Sequence, residues 1–141
     1  MKKTNKGFSL LELLIVVAII LIIATISIPN LLRSRQAANE TAAVANLKAV
    51  NTAQVTYAST GNFGTLTGLI ADGLLDETFT GTKAGYRFSI AASGADYTAE
   101  AVPISSNTGR YGYYSHPDAV IRYSTNASLA PAGQAGRPVG R

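Results

Sequence analysis

Two hydrophobic periods and an alternating stretch divide the chain. From Phe8 to Ile28 the positions are apolar on every side, 21 residues whose only ionisable side chain is Glu12. A helix of that length covers about 30 Å, one hydrocarbon core, so the run predicts a membrane-spanning helix. From Asn30 to Ala58 glycine and proline are absent and alanine is abundant, which predicts a further helical stretch. Ala43, Val44, Leu47, Val50, Val55, Tyr57 and Ala58 recur there at helical spacing, with Asn51 and Gln54 among them, and are expected to cover a sheet. The opposite face shows Ala45, Ala49, Thr52 and Thr56, small and uncharged where a solvated helix displays Lys and Glu. That face is expected to pack against other copies of the chain. Thr25, Ser27 and Pro29 fall between the two stretches; Pro29 removes a donor and predicts a kink or a soft segment.

The turn formers "STGNFG", Ser59 to Gly64, end the helix. A short helical piece is expected at "LIADGLLD", Leu69 to Asp76. The period then changes to two, in Gly85–Ala92 and Asp96–Pro103 joined by "SGA", and again in Arg110–Ser115 and Ala119–Ser124 across "HPD". Four short antiparallel strands over a long helix make an α+β fold. The remainder from Asn126, rich in Gly, Pro and Ala, is expected to be loosely ordered.

Charge changes this picture in one place. The 12 Lys and Arg outnumber the 8 Asp and Glu, but Lys2, Lys3 and Lys6 all precede the apolar run, and without them the chain is nearly neutral. The basic excess therefore marks a leader, not a nucleic-acid surface. Three lysines before the run and none within it place the N-terminus in the cytoplasm. A removable secretory signal has a shorter apolar core and ends in a small-x-small site, which "ATISIPN" lacks. With no cysteine, neither a disulfide framework nor a thiolate metal site exists.

The small residue stands before the run instead, at Gly7. A short basic leader ending in Gly7, then Phe8, then "SLLELLIVVAIILIIATISIP" with Glu12 four residues after Phe8, resembles the N-terminus of type IV pilins and the related pseudopilins. The match covers Met1 to about Asn30 and is highly specific. It implies cleavage after Gly7 by a prepilin peptidase and N-methylation of Phe8, and, in assembled filaments, loss of helical order before Pro29. The head layout, "LTGLIADGLLD" followed by "GYRFSI", is similar to pilins and G-type pseudopilins. The resemblance thus implies five regions: a cleaved leader 1–7, a transmembrane and filament-core helix 8–29, a helix half 30–60 covering the head, an α+β head 61–125, and a tail 126–141.

A lone acid in a membrane helix costs about 2.5 kcal/mol or more at the bilayer centre, so Glu12 needs a partner. Cleavage after Gly7 creates an amine at Phe8, and positions 8 and 12 share one helix face. Glu12 is therefore expected to neutralise that amine, within a chain or between chains, and so to set the register of assembly.

Nothing points to catalysis or a cofactor. His116, in "SHPD", reads as a turn residue before proline, and Asp118 as its turn partner. "GTKAG" at Gly81–Gly85 lacks phosphate-loop spacing. Arg87, Arg110 and Arg122 suit a solvated sheet surface better than a nucleic-acid contact. Many pilins close the C-terminal region with a cysteine pair and G-type pseudopilins with calcium; this chain has no cysteine and no acid after Asp118. Val120, Ile121 and Tyr123 are expected to fix that region by packing. The expected function is a structural subunit of a type IV pilus filament. Its expected partners are its own copies, the prepilin peptidase, membrane lipid, and an inner-membrane assembly platform with its motor ATPase. The alternatives are a type II secretion pseudopilin and a membrane-anchored domain that never polymerises.

Overall fold

The computed structural model describes residues 7–124 and 135–140. The leader lysines, and residues 126–134 of the tail, lie outside the described residues. The chain divides into two compact units, Met1–Ser34 and Arg35–Arg141. One long helix, α1 (Leu10–Tyr57), contributes to both.

In the first unit every large apolar side chain from Phe8 to Leu32 is exposed or nearly so, with Leu10 at 82% and Ile28 still at 57%. Pro29 lies inside α1. Around it, the Thr25 hydroxyl donates to the Ile22 carbonyl at 2.7 Å and the Asn30 amide donates to the Ile26 carbonyl at 3.1 Å. Thr25 and Asn30 thus find acceptors on their own helix.

The second unit packs the later turns of α1 on a sheet. Ala43, Leu47, Val50 and Ala53 are buried with Glu40, Asn51 and Gln54. Ala53 replaces Val55 in the expected stripe: Val55 is 67% exposed and joins Ala45, Ala49, Thr52 and Thr56 on the outward face. The helix tightens into a 3-10 turn at Ala58–Thr60 and stops at Gly61, whose φ of 111° suits glycine and lets its N–H bond to the Ala58 carbonyl. Helix α2 (Leu66–Ala71) starts three residues before its expected position, where the Thr65 hydroxyl accepts from the Gly68 N–H.

Six strands, not four, form one antiparallel sheet in sequence order: β1 (Thr82–Lys83), β2 (Tyr86–Ser93), β3 (Asp96–Pro103), β4 (Gly112–Ser115), β5 (Arg122–Ser124) and β6 (Arg137–Pro138). The β2–β3 hairpin runs from Tyr86↔Pro103 to Ser93↔Asp96. Its two-residue turn opens on Gly94 at φ 60°, the conformation a type II′ turn needs. Alternation is clean there: Tyr86, Phe88, Tyr97, Ala99 and Ala101 point into the core. Strand β5 begins at Arg122 and not at Ala119, because Ala119 adopts φ 56° in a turn closed by its N–H on the His116 carbonyl. Of the tail, residues 135–140 are described, and they add a strand to the sheet. Arg137–Pro138 pairs with β5, and the Val139 N–H donates to the Ile121 carbonyl at 2.8 Å.

Candidate functional site

At the N-terminus the residues singled out from the sequence stand together at the start of α1. Gly7 is exposed, with open space where a Cβ would be, and Phe8 is 83% exposed. Ser9 is the helix cap: its carbonyl accepts from the Leu13 N–H and its hydroxyl accepts from the Glu12 N–H at 3.1 Å. Glu12 reaches back to accept from the Ser9 N–H at 2.9 Å. This reciprocal pair is a capping box, in which two helix-end donors are satisfied at once. The signal for this cap is present in the sequence, since Ser9 and Glu12 carry the S-x-x-E signature ahead of an apolar run, but the pairing of Glu12 with Phe8 does not use it. In the uncleaved chain the Phe8 nitrogen is a peptide N–H, so the carboxylate rests on Ser9.

The head answers how its loops are fixed without cysteines. Polar residues recur along α1, each gripping a distant backbone. Gln36 donates to the Ser106 carbonyl at 2.6 Å and Asn39 to the Thr108 carbonyl at 2.9 Å. Glu40 accepts from the Arg110 N–H at 2.8 Å and from its guanidinium at 3.0 and 2.8 Å. Asn51 donates to the Ala119 carbonyl at 3.2 Å and accepts from the Tyr97 and Ser115 hydroxyls at 2.9 and 2.8 Å. Gln54, fully buried, holds both polar groups of Gly64, at 2.7 and 2.9 Å. Burial opposes ionisation of Glu40, but the hydrogen bonds and charge of Arg110 outweigh it and hold the carboxyl below the usual carboxylate range. Burial pushes the Tyr86 and Tyr113 hydroxyls up, so both stay neutral; Tyr86 donates to the Tyr111 carbonyl at 2.9 Å.

The C-terminal region is held by more than apolar packing. Ile121 is in the core, while Val120 is 37% exposed. Asp118 accepts from the Val120 N–H at 2.9 Å and from Arg122 at 2.6 Å, and the Arg122 hydrogen bond keeps its carboxyl below the usual range. His116 Nε2 lies 3.3 Å from Asp118 Oδ2. Ser115 donates to Asn51 and not to His116, so these three residues do not form a nucleophile relay. Arg110 precedes β4, which begins at Gly112 and not at Arg110; it and Arg122 are engaged by acids of the same chain, and Arg87 is exposed on the outer sheet face. Among the described residues no group of three His, Asp or Glu could hold a metal ion.

Comparison with known proteins agrees with both regions. Residues 2–28 match the prokaryotic N-terminal methylation motif. The chain is 34% identical over 148 residues to the type IV major pilin protein PilA of Myxococcus xanthus, covering 94% of this chain and 62% of that relative. It is 36% identical over 129 residues to the type IV wide pilus major component PilA4 of Thermus thermophilus, covering 90% of this chain and 92% of that relative. No solved structure gives a significant match. A methylation motif at the head of an apolar helix, and similarity that continues through the α+β head over nearly the whole of one relative, together place this chain in the type IV pilin family.

Proposed function

We propose that the chain is a filament subunit: cleaved after Gly7, N-methylated at Phe8, held in the inner membrane with its N-terminus cytoplasmic, and then assembled into a helical homopolymer at the cell surface. The observation that carries this reading is the contrast in burial. The head closes its own core, whereas the helix from Leu10 to Leu32 leaves its apolar surface open, a surface that water does not tolerate and that lipid or other copies would cover. Exchange of lipid for neighbouring helices is close to neutral, because one apolar surround replaces another. The outward face of α1, with Ala45, Ala49, Thr52 and Thr56, supports close approach of a second copy. A prepilin peptidase would process the chain, and an assembly platform with a separate motor ATPase would supply the work.

Mass spectrometry of subunits sheared from the cell surface tests this reading. The mature chain is expected to begin at N-methylated Phe8, and Gly7→Val is expected to leave the leader attached. A mature N-terminus near Ser27 would instead mark an ordinary secretory signal and end the assignment of a processed filament subunit.

A further inference from the structure

After Glu12 the next ionisable residues are Arg33 and Arg35. Both are exposed, and neither side chain forms a hydrogen bond or ion pair with another described residue. Between Glu12 and Arg33 lie 20 residues, Leu13 to Leu32, without a charge. On a helix these rise about 30 Å, the thickness of one hydrocarbon core. Within that window the Thr25 hydroxyl and the Asn30 amide each donate to their own backbone, at 2.7 and 3.1 Å, which lowers the cost of placing them in or at the edge of lipid beside the small hydroxyl of Ser27.

We propose that Arg33, backed by Arg35, is a depth anchor: its guanidinium takes the lipid phosphates of the far leaflet and thereby holds Glu12 and the Gly7–Phe8 bond at the cytoplasmic surface. A guanidinium suits this task, since its fork of donors matches phosphate oxygens and its charge resists entry into hydrocarbon. The alternative placement, with the run from Phe8 to Ile28 centred in the bilayer, drives Glu12 about 6 Å into the core, four residues at the helical rise. The window from Leu13 to Leu32 removes every charge from the core. It also presents the bond to be cut where the leader lysines meet water. Arg33 is on this reading a positioning residue for processing, and the inference rests on the membrane-inserted precursor proposed above.

The chain has no cysteine, so single thiols can report depth without background. The full precursor would be placed in phosphatidylethanolamine–phosphatidylglycerol vesicles and labelled with a membrane-impermeant maleimide from the leader side. Leu11→Cys is expected to label readily and Ile19→Cys to be protected; equal labelling of the two would overturn the membrane reading itself. Deleting Ile20–Ile23 then shortens the window by about one helical turn. If Arg33 anchors the far end, Leu11→Cys is drawn inward and its labelling slows several-fold. Adding Arg33→Leu and Arg35→Leu to the deletion is expected to restore fast labelling, whereas Arg33→Lys with Arg35→Lys keeps it slow, because lysine also avoids hydrocarbon. Unchanged labelling in the shortened chain, or slow labelling that the leucine pair fails to restore, overturns the anchor while leaving the membrane reading in place.

Discussion

Glu12 and Glu40 are two carboxylates on the same helix, in opposite circumstances. Glu40 is buried at 7% exposure and receives three donors from Arg110, a residue 70 positions away. Glu12 is exposed, and its bond among the described residues is to Ser9, within its own first turn. The same division runs through both units. Glu40, Asn51 and Gln54, buried in the head, meet partners supplied by the chain, whereas the large apolar side chains of the first unit are left exposed. A residue like Glu40 is explained by the fold of one molecule. A residue like Glu12 has only its local cap there, and on the proposed reading its further partner is the amine that processing would expose at Phe8.

The largest expected effect tests that asymmetry directly. Glu12→Ala leaves the cleavage site in place, so the leader is still expected to be removed. Surface filaments should nevertheless fall by about tenfold or more, because the Phe8 amine then enters an apolar bundle unpaired, at a cost of about 3–5 kcal/mol. Glu12→Asp, one methylene shorter, is expected to be intermediate. The change also removes half of the capping box, worth about 1 kcal/mol, so Ser9→Ala is the control. If Ser9→Ala depletes filaments as far as Glu12→Ala does, helix capping rather than charge pairing explains the loss.

The converse holds for the head. A chain shortened to begin at Asn30 is expected to be soluble and monomeric, and its unfolding in urea reads head stability alone. Asn51→Ala leaves the Ala119 carbonyl and the Tyr97 and Ser115 hydroxyls without their buried partner, with an expected loss of about 3 kcal/mol. A loss below about 1 kcal/mol would mean that water replaces the amide and that the network is not what fixes the segment.

Glu40 gives a smaller effect with a defined pH dependence. Its folded pKa is depressed, so its contribution is present above the ordinary carboxylate range and is lost as the pH falls through the folded value. Glu40→Gln is expected to cost about 1–2 kcal/mol at pH 7, discounted because the Arg110 side chain is half exposed. The difference from the unaltered head should shrink below about pH 4. A gap that stays constant between pH 7 and pH 3 would show that the carboxylate charge is not the source. The smallest expected effect is none at all: a calcium chelator should leave the melting temperature of the shortened chain unchanged, and a clear drop would reveal a cation holding the C-terminal region.

What could be read in the sequence was whatever is local. Gly7, Phe8 and Glu12 form a contiguous motif, and the β2–β3 hairpin announces itself because eight residues on each side alternate around a glycine turn. Val55 was misplaced because its position on the helix borders the buried arc, and only the sheet decides which side of that border is covered. Strands of two residues carry no period, so β1 and β6 become visible only through their partners. Glu40–Arg110 and Asn51–Ala119 join residues about 70 apart, and composition holds no trace of such pairing. Ser9 is the exception, since its capping signature was present and was eclipsed by the neighbouring phenylalanine.

The two shortest strands also bear on what the head does not do. Each outer strand of the sheet is two residues long; β1 ends on a lysine and β6 on Pro138, which has no N–H to offer. A free sheet edge templates amyloid-like growth when it is long, flat and apolar, and short charged or proline-bearing edges remove the template. A subunit that polymerises is thereby steered away from aggregation through its β-structure. On the proposed reading, association is left to the apolar helix, whose processing would set when it begins.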